Sequence, residues 1–285
     1  MGISVTRTWT LPLPSSRVEF MVRARPNWTS PFQDPDSGAL PVRIWRLRLG
    51  NLGEAAIETL RRMAAPSERI RAQKYRFDAD RQRHLAGRAL VRAFVARTRG
   101  GSPQAVSIRE GPRGKPRLAA DQESETDLEF NIAHTANVVV AAFSRTHSVG
   151  IDVETLDRTR NLDGLAERVL TGAEWDRWHS LAANAQPAFF FRVWTCKEAF
   201  LKATGQGLQR APRTVECAFD GGTVVGLRDV ADYQPSSAPD AAERWAVRPF
   251  SVTDRVLGAV VRAEALPFSI SFADASGLVP RWTHA

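Results

Sequence analysis

The chain has 285 residues, 43% of them apolar and 25% charged, which are the proportions of a soluble globular protein and exclude a disordered or fibrous one. No stretch reaches the ~20 consecutive apolar residues that cross a bilayer, and the N-terminus lacks the apolar run of a secretory signal, so a cytoplasmic protein with no membrane partner is expected. A formal charge of +8, from 39 basic and 31 acidic residues, favours anionic partners without choosing among phosphates, nucleic acid and acidic proteins.

Residues 1–40 carry five prolines, with a sixth at Pro41, and no sustained period, which reads as an irregular N-terminal arm. From Val42 to Leu49 apolar and basic residues interleave, which predicts a half-buried strand with one core face and one arginine face. Helical spacing runs from Ala55 to Met63 and from Ser67 to Arg99, ending at Gly100-Gly101. Strand signals near 105–108 and 118 flank the turn-like Gly111-Pro112-Arg113-Gly114-Lys115-Pro116. Leu128–Ala133, Val138–Phe143 and Val149–Val153 then read as strands. The order repeats in the second half, with helices over 162–179 and 188–203 and strands near 215–219, 223–227, 245–250 and 256–263. The expected fold is α+β: two similar halves related by a pseudo-two-fold, each a small antiparallel sheet packed against helices, over 41–149 and 150–267, with 268–285 a tail carrying one weak strand signal at 269–272. A cleft between such halves is a natural ligand site.

Four groups of residues carry chemistry. In Gly150-Ile151-Asp152-Val153-Glu154 two carboxylates lie two apart on a strand and share a face. Oxygen ligands so placed suit a hard cation such as Mg²⁺ completed by substrate phosphates, although a solvated strand face accounts for such a pair equally simply. In Trp194-Thr195-Cys196-Lys197-Glu198-Ala199-Phe200-Leu201-Lys202, Glu198 and Lys202 are helical neighbours. The chain has only four lysines, at 74, 115, 197 and 202, against 35 arginines, so half of its lysines fall in this one segment. Lysine, unlike arginine, can give up a proton. His134, in Phe130-Asn131-Ile132-Ala133-His134-Thr135, is expected just beyond a strand and opposite the carboxylate strand in a hairpin. A basic run from Arg69 to Arg92 offers guanidinium forks for phosphate. The remaining histidines form no zinc-binding spacing with Cys196 or Cys217, and the two cysteines need no disulfide role in a chain this long.

In order along the chain, Lys74-Tyr75-Arg76-Phe77, Arg83 with Gly87 and Leu90-Val91-Arg92, Gly114-Lys115-Pro116, the His134 segment, the Asp152–Glu154 strand, the Trp194–Lys202 helix and Gly205-Gln206-Gly207-Leu208 resemble the 4'-phosphopantetheinyl transferases of the surfactin-synthetase-activating type. The likeness covers about residues 42–265. It implies a monomeric, cytoplasmic, Mg²⁺-dependent enzyme. Such an enzyme moves the phosphopantetheine arm of its co-substrate coenzyme A to a serine of an apo acyl or peptidyl carrier protein and releases 3',5'-ADP. By the same resemblance Asp152, Glu154 and Glu198 hold the metal, Glu198 takes the serine proton and Lys202 stabilises or protonates the departing group. His134 with Thr135, Arg83 and a basic residue such as Arg71 hold the 3'-phosphate, and Gly114, Lys115 and Pro116 lie beside the adenine. The rival reading is a basic nucleic-acid-binding protein or Mg²⁺-dependent phosphodiesterase; no nucleic-acid module is visible, and no nucleic-acid partner is expected.

Overall fold

The computed structural model describes residues 26–31, 42–111, 114–122, 127–145, 147–157, 162–205, 210–220, 222–230, 245–263 and 268–282. Most of the proline-rich arm, Pro112-Arg113 of the turn, and Gln206, Gly207 and Leu208 of the glycine motif lie outside the described residues. The first half runs β1 (Val42–Arg48), α1 (Glu54–Met63), α2 (Pro66–Gln73), α3 (Asp78–Arg99), β2 (Ile108–Glu110), β3 (Pro116–Leu118), β4 (Leu128–Thr135) and β5 (Val138–Arg145). The second runs β6 (Val149–Thr155), α4 (Leu162–Val169), α5 (Gly172–Ser180), α6 (Gln186–Ala203), β7 (Val215–Asp220), β8 (Thr223–Asp229), β9 (Trp245–Thr253) and β10 (Val256–Ala263), and β11 (Ile270–Asp274) follows. Each half is thus a strand, three helices and a set of antiparallel strands. The two main sheets have the orders β11-β1-β5-β4 and β6-β10-β9-β8-β7, and β2-β3 forms a separate hairpin.

Several expectations change once the layers are in place. β1 has no arginine face. Trp45 and Leu47 enter the first-half core with Phe94 and Phe143, while Val42 and Ile44 on the other face join a core shared with β6, β9 and β10. A strand covered by helices on one side and by the other half on the other cannot be half-exposed. Its Arg46 is buried instead: it pairs with Asp274 at 2.9 Å, donates to the Val252 carbonyl at 3.0 Å and stacks on Trp28 at 4.0 Å.

The weak strand signal at 269–272, in the segment read as a tail, is β11, and it is no loose tail, because it pairs in parallel with β1 from Val42↔Ile270 to Arg46↔Asp274. The first sheet is therefore antiparallel except at this edge. The continuous helix expected from 67 to 99 is broken at residues 74–77, where Phe77 is extended (φ −106°, ψ 140°). The break lets α2 fold back beside α3, so that buried Glu68 meets Arg92 at 3.1 Å and Arg88 at 3.7 Å. The helical stretch 162–179 is likewise two helices, split where the Thr171 N–H donates to Glu174 Oε2 at 2.8 Å. His134 lies within β4 and not beyond it. The expected hairpin with the carboxylate strand does not form, because β4 and β6 belong to different sheets.

α6 is buried almost all round, as its run of Phe189, Phe190, Phe191, Val193, Ala199, Phe200 and Leu201 requires. It packs against β6 at a glycine. A Cβ on Gly150 would sit 2.0 Å from the Ala199 carbonyl oxygen and 2.5 Å from the Ala203 nitrogen, and backbone atoms have no rotamer by which to escape. Gly150→Ala is expected to destabilise the fold by about 3 kcal/mol, at the upper end of overpacking costs; a urea midpoint equal to that of the unmodified protein would show that α6 can retreat from β6 freely.

Candidate active site

The two halves face each other across a cleft of ≈520 Å³. α3 supplies Asp80 and Arg83, β4 supplies His134 and Thr135, β6 supplies Asp152, Glu154 and Thr155, and α6 supplies Trp194, Glu198 and Lys202. The helical residues recur at i, i+4 and i+8, so one face of α6 presents all three. The strand residues Asp152 and Glu154 alternate with buried Val153 and project to the same side. Gly150, two residues earlier, is what lets these two sets of side chains meet.

One corner of the cleft is acidic. Lys202 Nζ pairs with Asp152 Oδ1 at 2.6 Å and also reaches the Ile151 carbonyl at 3.4 Å. Glu198 is 8% exposed, and its Oε1 is buried with no hydrogen-bond partner among the described residues. Desolvation, then the neighbouring charge of Asp152, pushes the Glu198 carboxyl above the ordinary glutamate range; Lys202 opposes the shift and Glu154 adds to it. Thr135 Oγ1 lies 3.5 Å from Glu154 Oε2.

The facing corner holds Arg83 and His134. The Arg83 guanidinium is held by the Ala136 carbonyl at 2.8 Å and by Asp80 at 2.5 Å. His134 is pushed below the usual histidine value by burial, then by the positive charges of Arg83 and Lys202, with Asp80 acting the other way. It is therefore a neutral imidazole at pH 7 in the unliganded protein. A carboxylate corner that also holds Lys202, facing Arg83 and the His134 imidazole across the cleft, suits an extended substrate that carries several phosphates.

Of the sequence-predicted residues, Arg83, His134, Thr135, Asp152, Glu154, Glu198 and Lys202 converge on this cleft. Arg71 does not line it, because its guanidinium is drawn to Glu110. Gly114, Lys115 and Pro116 also stand away from the lining. Gly114 takes φ +76° in the hairpin turn, and Lys115 donates to the Val149 carbonyl at 3.2 Å, bracing the start of β6.

Half of the lysine signal proves architectural. Lys197 is fully buried, bonded to Glu174 at 2.6 Å and to the Val169 carbonyl at 2.7 Å, and Glu174 Oε1 accepts the Cys217 N–H at 2.8 Å. Asp80 and Trp194 were not among the predicted site residues. Their signals were present, since Asp80 stands one turn before Arg83 and Trp194 one turn before Glu198.

The ionised form of Glu198 is disfavoured by folding. Its folded value lies above the ordinary 4.5, so the penalty grows as pH rises above that value and disappears below it, where folded and unfolded chains are both protonated. Without metal, Glu198→Gln is expected to raise the melting temperature by a few degrees at about pH 7, with the gain vanishing by about pH 4; equal melting temperatures at neutral pH would contradict the buried-charge assignment.

Comparison with known proteins bears directly on this cleft. The model of the 4'-phosphopantetheinyl transferase superfamily matches residues 148–252, and that of the 4'-phosphopantetheinyl transferase N-terminal region matches residues 53–146. The chain is 36% identical over 169 residues to the 4'-phosphopantetheinyl transferase HetI of Nostoc sp., covering 59% of this chain and 70% of that one. It is 30% identical over 176 residues to the 4'-phosphopantetheinyl transferase psf-1 of Bacillus pumilus, covering 61% and 72%. A phosphopantetheinyl transferase of Thraustochytrium sp. is 31% identical over 192 residues, covering 61% and 66%. The two matched regions meet at the start of β6, so each supplies one wall of the cleft, and the chain belongs to the 4'-phosphopantetheinyl transferase superfamily.

Proposed function

We propose that the cleft between the halves is where the chain transfers the 4'-phosphopantetheine arm of coenzyme A to a serine of an apo acyl or peptidyl carrier protein, releasing 3',5'-ADP. The observation that carries this reading is the convergence of Asp152, Glu154, Glu198 and Lys202 from β6 and α6 upon Arg83 and His134 from the other half. Such an arrangement spans the two ends of a substrate with a diphosphate and a separate phosphate. Arg83, pre-oriented by Asp80 and the Ala136 carbonyl, and His134 would hold the 3'-phosphate, and Thr135 adds a hydroxyl.

The donor set fits Mg²⁺. Asp152, Glu154 and Glu198 offer only oxygen, and the partnerless buried Oε1 of Glu198 is an acceptor awaiting a cation or a proton. Among the described residues no group of three or more His, Cys, Asp or Glu side chains is already gathered around a cation position, so the ion would need oxygens from substrate phosphates and water to complete its shell. When bound there, Mg²⁺ would neutralise charge on the diphosphate. In its absence the Lys202 ammonium occupies the Asp152 carboxylate.

The chain's own groups then account for the proton transfers. The serine O–H gives its proton to Glu198, the serine oxygen bonds to the phosphorus bearing the pantetheine arm, and the bond from that phosphorus to the 3',5'-ADP oxygen breaks. The raised proton affinity of Glu198 suits a general base. Lys202, within reach of the same strand, stabilises the departing phosphate and can protonate it. Most of the work is positioning and charge neutralisation, as phosphoryl-transfer chemistry generally requires. Both walls of the cleft come from one chain, which supports a monomeric enzyme. Among the described residues no helix is long and apolar enough to cross a membrane, and a cytoplasmic location suits the two free cysteines, Cys196 and Cys217.

The deciding test is the intact mass of an apo carrier protein after incubation with coenzyme A, Mg²⁺ and the enzyme, beside an EDTA control. A metal-dependent gain of one phosphopantetheine arm is expected, and its absence with several carriers would refute the reading. Glu198→Gln should abolish transfer, by about 10²-fold or more for loss of a general base, while coenzyme A still binds. Arg83→Ala and His134→Ala should raise KM for coenzyme A while leaving KM for 3'-dephospho-coenzyme A nearly unchanged; equal effects on both would remove these residues from the 3'-phosphate.

A further inference from the structure

The two sheets meet edge to edge. β4 ends one sheet and β6 begins the other, and they lie side by side without a shared ladder. They run in the same direction, since Asn131 meets Ile151 and Thr135 meets Glu154 farther along both strands. An edge strand turns backbone N–H groups toward whatever lies beside it, and a buried N–H left unpaired is costly. At this seam the Ile151 N–H donates to Asn131 Oδ1 at 2.9 Å, with Asn131 4% exposed and Ile151 fully buried.

The place of this bond gives it a consequence for the reaction. Ile151 immediately precedes Asp152 and stands three residues before Glu154. Asn131 stands three residues before His134 and four before Thr135. Besides the 3.5 Å contact of Thr135 Oγ1 with Glu154 Oε2, the seam is packed by apolar side chains, among them Ala133 of β4 and Val149 and Val153 of β6, and such contacts press the strands together without fixing how far one slides along the other. A hydrogen bond is directional and does fix it. β6 and α6 are already locked by the close approach at Gly150, so the relation still to be set is that of β6 to β4.

We propose that Asn131 is a positioning residue of the active site, whose side-chain oxygen stands in for the missing ladder bond and holds the carboxylate strand in register with the phosphate-binding strand. The proposal rests on the transferase reading above. It assigns Asn131 no contact with substrate; its effect is that metal and coenzyme A, gripped from different strands, bind cooperatively.

The test is calorimetric and uses the full chain without carrier protein, so that nothing turns over. Mg²⁺ affinity is measured with and without coenzyme A, and coenzyme A affinity with and without Mg²⁺, for the unmodified chain, Asn131→Ala and Asn131→Asp. In Asn131→Ala the factor by which each ligand tightens the other should fall at least fivefold, with coenzyme A affinity in the absence of metal changed less than threefold. Asn131→Asp, which keeps an acceptor oxygen at the same reach, should retain most of the coupling. A purely structural role would lower the melting temperature and leave the coupling intact well below it. Unchanged coupling in Asn131→Ala, or equal loss in Asn131→Asp, would overturn the proposal. An unmodified chain that modifies no carrier would sink the functional reading instead, which separates the two failures.

Discussion

The architecture of the site depends on how closely a helix can approach a strand. α6 carries Trp194, Glu198 and Lys202, β6 carries Asp152 and Glu154, and their backbones come so near at Gly150 that a single methyl group would collide with the Ala199 carbonyl. Any larger residue would move the helix outward and carry the lysine ammonium off Asp152, where it now sits at 2.6 Å. The glycine is therefore a spacing device, and the buried network just behind it keeps the helix from rotating. Lys197 ties α6 to α4 and α5 through the Val169 carbonyl and Glu174, and Glu174 ties α5 to β7 through Cys217. A buried ion pair of this kind adds little net stability, yet losing either partner strands a charge in the core at about 3–5 kcal/mol. Its neighbour in sequence, Glu198, inherits the resulting rigidity.

The electrostatics show what the site costs the fold. Glu198 is desolvated beside Asp152 and Glu154, which raises its proton affinity, while burial and like charges lower that of His134. In both groups burial disfavours the charged form. Titratable groups whose environments push them in opposite directions are what acid–base chemistry near neutral pH needs. The same holds on α3, where His84, pushed down to about 4 by burial and then by Arg88 and Arg71, stays neutral beside a set of guanidinium groups. The α2–α3 pair balances those guanidiniums with Glu68, which accepts from Arg92 and lies near Arg88 in the protein interior. Arginine excess in this chain is thus partly architectural.

Much of this could be read from residue order. The strand-and-helix periodicities located the strands β1 and β4–β10 to within a few residues, Gly100 ends α3 at φ +72° as a helix-terminating glycine should, and seven of the residues singled out for chemistry share one cleft. The errors have physical causes. The interleaved residues of β1 suggested one wet face, but burial depends on what covers a strand, and β1 is covered on both sides. Residues 67–99 kept a helical rhythm through a break that exists so that Glu68 can reach Arg88 and Arg92. Lys197 and Lys202 were equivalent as scarce lysines, yet one is sealed in the core and the other faces the cleft.

The sequence by itself determined the alternating strand and helix segments, the pairing of Asp152 with Glu154 on one strand face, and the stacking of Glu198 and Lys202 on one helix face, because those relations follow from backbone repeats of two and 3.6 residues. Only the tertiary structure decided that Arg71 is turned to Glu110, that Lys115 braces β6 away from the cleft lining, that the last strand returns to pair with β1, and that β4 and β6 face each other as the edges of separate sheets. Those outcomes depend on contacts between residues tens to hundreds of positions apart, for which the local period of the chain carries no signal.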